Sequence, residues 1–377
     1  MGGRGAAIVV LSTAIGCAGG AMAAPDNLEP VAFSELAGWA ADDHAAAFTP
    51  FAASCRAILE NRPPSRAAQP PGEALTRVCA EAVGLGRPDG AQAKAFFERA
   101  FRPFRVGTGM LTGYYEPEIE GSRVRTDRFD TPLMARPRDL VTIPDGESLP
   151  GVAAGMGGAR KVGAGFEPYY DRKAIEDGAL AGRGLELVWA EPVDAFFVHI
   201  QGSTRVRFSD GSAMRLAFDG RNGRKFTGIG RLMLDRGLLA KGSTSMAAIR
   251  AWLAQNPREG AALMRENQSY IFFRKDEKLT HADGPLGAQN VPLEPGRSIA
   301  VDRGIWSYGL PFWLDGRFPD GGQIRLLAVA QDTGSAILGA ARGDYFVGTG
   351  DDAGAVAGGM KQQTGFTVLL PREDGGR

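Results

Sequence analysis

Histidine and cysteine are scarce: the chain has 3 of each in 377 residues. The histidines His44, His199 and His281 lie far apart, with none of the short spacings that gather imidazoles around a metal. Once Cys17 is set aside in the N-terminal segment, Cys55 and Cys79 remain, too few for a structural zinc site. No metal and no cofactor is therefore implied. Charge of one sign is missing as well: 43 Lys and Arg balance 43 Asp and Glu, so no basic face invites nucleic acid. Nor is there an apolar run long enough to span a bilayer. The glycine-rich stretch "GVAAGMGGARKVGAG" has no Gly-Lys-Ser/Thr, and Arg160 stands where a dinucleotide loop needs its third glycine, so it reads as a flexible loop.

What is abundant is glycine, 53 residues, roughly double the usual share of about 7%. Scattered without a period, these glycines fit dense turns between short strands. Length allows about two domains and a substantial core. The first two dozen residues have the plan of an export signal: Arg4, the apolar "AAIVVLSTAIG", and the small residues "AMA" at 21–23. A rival cleavage box, "AIGC", ends at Cys17 but has Ala14 where such boxes usually have Leu, so lipid anchoring and soluble export both stay open. Export brings Cys55 and Cys79 into an oxidising compartment, where a bridge between them would contribute on the order of 3 kcal/mol.

Residues 25 to 105 carry apolar residues at helical intervals. From Met110 to about 235 strand signals dominate. The run "DAFFVHIQGS" reads as a buried strand, and "TRVRFSDGSAMRLAF" as a hairpin turning at Asp210-Gly211. Helices return at "MAAIRAWLAQN" and "PREGAALMREN", the second with Asn256 as its cap, Pro257 in its first position and Glu259 closing a capping box. The rest is strand-like. Helices, a β block, two helices and more β suit one continuous domain interrupted by an inserted one.

Within the last block, "AVAQDTG" looks like the nucleus of an aspartic protease. That chemistry needs two carboxylates sharing a proton, and a single chain would carry two Asp-Thr/Ser-Gly turns. Here Asp332-Thr333-Gly334 stands alone, with Gln331 where such enzymes have an apolar residue. An Asx turn is the bland alternative. Asp302 and Asp332, however, both end apolar runs, and Asp344 follows in a glycine- and aromatic-rich segment. If the three converge, repulsion and apolar walls would raise one pKa, as a proton donor to a glycosidic oxygen requires. Tyr114 and Tyr115 offer faces for sugar stacking, and Gln201, Gln289 and Gln331 offer amides for hydroxyl and N-acetyl groups.

In order along the chain, "TGYYEP", "HIQGS", "DGRNGRKFTGIGR", "SMAAIRAWL", "QSYIFF", "GAQNVPLEPGRSIAVDR", "AQDTGSAI" and "RGDYFVGTG" resemble the membrane-bound lytic murein transglycosylase A family over roughly residues 108 to 370. Departures are small: Ser335 and Asn290 stand where Gly is usual, as does Thr204 after "HIQGS". The resemblance implies an α+β fold, mainly β: a double-psi β-barrel with N-terminal helices and a smaller inserted β-barrel-like domain. The segments would be a signal peptide (1–24), N-terminal helices (25–111), the insert (112–235), the three-aspartate barrel part (236–371) and a tail (372–377). It implies a peptidoglycan lytic exotransglycosylase, a carbon–oxygen lyase acting on glycan strands, although the residues alone do not say whether cleavage starts from strand ends. Asp332 would be the catalytic acid and then base, with Asp302 and Asp344 in support. Thr112, Gly113, Tyr114, Tyr115, Gln201, Gly202, Ser203, Gln289, Gln331, Thr333 and Gly334 would line the substrate groove. A monomer in the periplasm is expected, attached to the outer membrane if Cys17 carries lipid. An inverting hydrolase on the same barrel and a non-catalytic wall-binding module are the alternatives.

Overall fold

The computed structural model describes residues 28–373, apart from 145, 241–244, 278 and 280–282. The readings of the leader, of Cys17 and of most of the tail lie outside these residues.

Six strands close into a barrel. Phe101–Glu116, Arg342–Thr349, Ser298–Val301, Gln323–Asp332, Pro311–Arg317 and Lys361–Pro371 pair in that order, and the last pairs back with the first. Two contacts are parallel, Ser298–Val301 with Gln323–Asp332 and Arg342–Thr349 with Phe101–Glu116. The long first strand comes from before the insertion and the other five from after it, so the barrel needs both ends of the chain. Alternate residues of these strands point inward. Leu111, Ile299, Val301, Leu314, Ala328, Phe366 and Val368 fill the interior.

The expected N-terminal helices are His44–Leu59, Glu73–Leu85 and Gly90–Ala100. Asp43 and Asp89 cap the first and third, each accepting a backbone N–H three residues on. Their apolar faces meet in a phenylalanine cluster that seals one side of the barrel, with Phe48 and Phe96 ring centroids 5.3 Å apart and Phe51 and Phe97 5.5 Å apart. Full burial of each such ring contributes about 1.5–3 kcal/mol. Cys55 and Cys79 are bridged, joining the first two helices.

The insert is built on a four-stranded sheet, Ile271–Lys275, Ala213–Arg221, Ser203–Arg207 and Glu118–Glu120. A ribbon of Thr131–Met134 and Glu186–Ala190 touches both edges of this sheet through bridges Ala135↔Phe273 and Ser122↔Trp189, so the unit nearly closes on itself. Its core holds Ile119, Leu133, Val188, Val206, Leu216 and Phe273. The hairpin turning at Asp210-Gly211 is present. Because Ile271–Lys275 belongs to this sheet, the insert's β structure runs past the end drawn at 235.

Three local readings are corrected. The apolar run at 194–201 is a helix, Pro192–Gln201, not a strand. Pro192 starts it and Gly202, at φ 91°, ends it. It is packed on several sides, so its apolar residues show no helical period. Asn256 does precede the helix Pro257–Arg265, but its side chain donates back to the Trp252 carbonyl at 2.9 Å, in the last turn of the helix Met246–Gln255, and makes no cap for the helix that follows. Half of the glycine-rich stretch is a hairpin, Gly158–Val162 with Gly165–Pro168. By contrast Asn290, standing where Gly is usual, has φ 62°, a conformation asparagine tolerates better than most residues.

Barrel and insert are joined at the end of the long strand. Glu116 is fully buried; its Oε2 accepts from Arg215 Nη2 of the insert's sheet at 3.2 Å and from the Thr349 hydroxyl of the barrel at 3.0 Å, and the Arg215 Nε lies 3.0 Å from Oε1 as an ion pair. Burial raises the Glu116 carboxyl, while Arg215, Thr349 and Arg205 pull it back down.

Candidate active site in the cleft between barrel and insert

Asp332 is the last residue of the strand Gln323–Asp332, where the chain leaves the barrel wall and turns. The loop 284–293 folds back over this strand end, Gln289 N–H donating to the Gln331 carbonyl at 3.0 Å. A Cβ at Gly287 would lie 2.6 Å from that same carbonyl oxygen, so only glycine lets the loop come this close. The result is a cradle. Asp332 Oδ1 accepts from the backbone N–H groups of Ala288 at 2.9 Å and Thr333 at 2.8 Å, and Oδ2 accepts from the Tyr114 hydroxyl at 2.8 Å.

Burial pushes the Asp332 carboxyl above its ordinary range; the Thr333, Tyr114 and Ala288 hydrogen bonds and the Arg66 charge act against this and do not cancel it. Tyr114, buried beside it, is itself held protonated well above its ordinary value, mainly by burial and next by the Asp332 charge. The hydroxyl therefore stays a donor to the carboxylate.

Asp332 opens into a cleft of about 150 Å³ between the two units, and among the described residues lining it Asp332 is the one carboxylate. Tyr114, Tyr115, Gln201, Gly202, Ser203, Thr333 and Gly334 line the same cleft, so these expected site residues are brought together. Gly202 at φ 91° ends the helix Pro192–Gln201 and delivers Gln201 and Ser203 to the insert's wall.

Other candidates lie elsewhere. Gln331 and Gln289 are core residues: the Gln331 amide donates to the Pro50 carbonyl and the Ser54 hydroxyl, each at 2.9 Å, and that of Gln289 to the Ser54 carbonyl at 3.3 Å. They tie the first helix to the barrel and do not face the cleft. Gly113 packs on the helix Asp351–Gly359, where a Cβ would come within 2.9 Å of Ala357 Cα. Thr112 points to Asp344, donating to its Oδ1 while accepting from Arg342 Nη2 at 2.8 Å. Tyr114 and Tyr115 are neighbours in one strand and so turn to opposite faces. Tyr114 packs on Phe346, ring centroids 5.3 Å apart, and Tyr115 lies over Gly354, with its hydroxyl 3.4 Å from Met246 Sδ.

The three aspartates do not share one point. Asp332 and Asp344 are both in register with Ala300, on opposite sides of the strand Ser298–Val301. Two strand spacings separate them, roughly 10 Å. Burial pushes Asp344 up to about 6, with the Asp332 charge adding to the rise and Thr112 and Arg342 opposing it. Asp302 sits at a turn, accepting from the backbone of Gly304 at 2.9 Å and Gly339 at 2.7 Å, and so pins the segment that follows Asp332.

Some groups at the site left no mark in the sequence. Arg66 comes from the connection between the first two helices; its Nη1 is 3.5 Å from the Thr333 carbonyl, and Tyr308 fixes its backbone through a 3.0 Å hydrogen bond. Ala288 acts through its backbone, which no side-chain pattern reveals. Phe226, 37% exposed, gives the cleft an open ring, though it lies inside a stretch already noted as family-like.

Family comparisons agree with this architecture. Residues 110–274 match the MltA specific insert domain and residues 297–370 the 3D domain. The chain is 31% identical over 268 residues to a membrane-bound lytic murein transglycosylase A of Vibrio cholerae, an alignment spanning 68% of this chain and 64% of the relative's length. The chain thus spans just under two thirds of that relative. Among solved structures, a membrane-bound lytic murein transglycosylase from Agrobacterium tumefaciens is 38% identical with TM-score 0.83, covering 92% of this chain and 98% of its own. MltA from Neisseria gonorrhoeae is 36% identical with TM-score 0.75, covering 91% of this chain and 92% of its own.

Proposed function

Because the chain belongs to the membrane-bound lytic murein transglycosylase A family, we propose that it cleaves the β-1,4 bond between N-acetylmuramic acid and N-acetylglucosamine in peptidoglycan without using water. The observation that carries this reading is the solitary carboxyl of Asp332, raised by burial and open to a cleft with no other carboxylate among its described lining residues.

In the proposed reaction, protonated Asp332 donates to the oxygen leaving the anomeric carbon of the muramoyl residue. The anomeric carbon then carries oxocarbenium character. The newly ionised carboxylate takes the proton of the muramoyl carbon-6 hydroxyl, and that oxygen bonds to the anomeric carbon, closing a 1,6-anhydro ring. One carboxyl serves as acid and then as base, because the nucleophile is already tethered and needs no water held in place. Tyr114 and the Ala288 and Thr333 N–H groups steady the ionised form between the two proton transfers. An inverting hydrolase would need a second carboxylate holding water at the cleft. Asp344 is instead engaged by Thr112 inside the barrel wall. Phe226 offers a flat surface for a sugar ring.

The relatives' "membrane-bound" names support an envelope location for this chain. No helix among the described residues is long and apolar enough to cross a membrane. Acylation of Cys17 would supply an attachment to the membrane. A periplasmic monomer completes the reading. Mass spectrometry of products from purified sacculi tests the chemistry. Anhydro-muropeptides 18 Da lighter than the hydrolysis products, absent with Asp332→Asn, are expected, the 18 Da being the mass of one water. Products carrying the mass of an added water would overturn the reading.

A further inference from the structure

The connection between the first two helices, residues 60–72, lies outside both matched domains. It nevertheless reaches the cradle of Asp332. The two backbone N–H groups that meet Asp332 belong to Ala288 and Thr333. The carbonyls of these same two residues accept from two successive residues of the connection. Ala288 O takes the Ser65 N–H at 2.8 Å and the Ser65 hydroxyl at 3.2 Å. Thr333 O takes Arg66 Nη1 in a longer contact of 3.5 Å, while the Thr333 hydroxyl donates to the Val301 carbonyl at 2.8 Å. Each residue that donates to Asp332 is thus held from its carbonyl as well.

The connection is itself anchored along its length. Asn290 Nδ2 donates to the Pro63 carbonyl at 2.6 Å, the Tyr308 hydroxyl to the Arg66 carbonyl at 3.0 Å, and Arg303 Nη1 to the Ala67 carbonyl at 2.8 Å. Gln69 donates its backbone N–H to the Arg303 carbonyl at 3.0 Å and its amide to the Gly304 carbonyl at 2.7 Å. Cys55 and Cys79, bridged in the flanking helices, close the segment at its base. Pro63, Pro64, Pro70 and Pro71 fix φ at four positions, so less freedom is lost when the segment is laid down. A segment held in this way can act as a clamp on what it touches.

Arg66 also brings a charge. Ser65 and Arg66 line the cleft with Asp332, and the Arg66 charge opposes the upward push of burial on the Asp332 carboxyl. Tyr114, Tyr308 and Asp344 feel the Asp332 charge too, but burial holds both phenols protonated and neutral, and Asp344 is an acid, not a cation. Arg221 and Arg303 face Arg66 itself. Resting on the reaction proposed above, we infer that Ser65 and Arg66 are positioning residues for catalysis. They hold Ala288 and Thr333 where their N–H groups steady ionised Asp332 between its two proton transfers, and the Arg66 charge adds to the same effect.

Carbon-13 carboxyl NMR of the intact, aspartate-labelled protein measures the Asp332 pKa without substrate, its signal being the one that disappears in Asp332→Asn. Arg66→Met should raise that pKa by about half a unit to one unit, and Ser65→Ala, which keeps the backbone bond, by less. Turnover of soluble peptidoglycan fragments should fall about three- to tenfold in Arg66→Met with KM changed less than about twofold, and the alkaline limb of the pH–rate profile should move up with the pKa. In an Asp332→Asn background Arg66→Met should cost nothing further, because it acts through that carboxyl. Arg66→Lys keeps the charge without the planar fork and should give a smaller shift in the same direction, so it carries the test if Arg66→Met does not fold. An Asp332 pKa unmoved in the Arg66 variants, or a rate loss that adds to that of Asp332→Asn, would overturn the inference. If wild type formed no anhydro product, the proposed function would fail while the titration still judged the clamp.

Discussion

Asp332 and Asp344 stand in register with one residue, Ala300, from the strands on either side of it, and burial raises both carboxyls. Their surroundings differ. Asp332 is at a strand end, met by two backbone N–H groups and a tyrosine hydroxyl, with the cleft in front of it. Asp344 is within a strand, bracketed by Thr112 and by the charge of Arg342. On the reaction proposed above, the same side chain in the same barrel register would serve proton transfer in one place and only contacts within the wall in the other. What separates them is access to substrate and the presence of donors that steady the ionised form.

The largest test of this contrast is to remove each acid in turn. Asp332→Asn should lower turnover on sacculi by about 10²–10⁴-fold, the usual worth of a general acid, with the melting temperature retained. Asp344→Asn should cost at most about tenfold, and equal losses would erase the distinction between the two sites. Tyr114→Phe removes a hydrogen bond to ionised Asp332 and should raise its pKa further. The alkaline limb of the pH–rate profile should then move up by about half a pH unit to one unit, with a rate loss of tenfold or less at the optimum. A limb that stays put would take Tyr114 out of the proton-transfer machinery.

Stability gives the next effect. The folded Asp344 carboxyl is pushed up to about 6 from an ordinary 3.8, so ionising it disfavours the native state. Its contribution is fully present below pH about 4 and is lost as pH rises through about 6. Asp344→Asn never ionises and should therefore be more stable than wild type at pH 7.5, on the order of 1–3 kcal/mol, with the gain gone by pH 4. Melting curves at the two pH values decide this, and a gain independent of pH would contradict it. The smallest change is expected from Thr112→Val, which deletes one donor to Asp344 and should cost about 1 kcal/mol at pH 7.5 and less at pH 4. An equal loss at both pH values would mean that Thr112 acts by packing alone.

Much of this arrangement is legible in the chain. Helical spacing marks the segments later seen at 44–59, 73–85 and 90–100, and Asp210-Gly211 marks its hairpin. Apolar runs ending in aspartate announce Asp302 and Asp332 at strand ends. The helix Pro192–Gln201 is obscured because burial around it removes the amphipathic period, leaving Pro192 and Gly202 as the signals that mattered. Gln289 and Gln331 look like polar candidates for sugar until the first helix is seen to bring the Ser54 and Pro50 groups against them. Arg66 and Ala288 carry no local pattern, since each acts only once the loop containing it is laid against the end of one strand.

By itself the sequence determined where the N-terminal helices and the Asp210-Gly211 hairpin form, which family the chain resembles, and which aspartates deserved scrutiny, because periodicity, turn chemistry and ordered motifs are local properties. Tertiary structure decided which aspartate meets the cleft, which glutamines vanish into the core, and that the connection between two N-terminal helices reaches the residues cradling Asp332. Burial, register and such backbone contacts depend on groups hundreds of residues apart in the chain, and these come into contact only when the barrel closes around its insert.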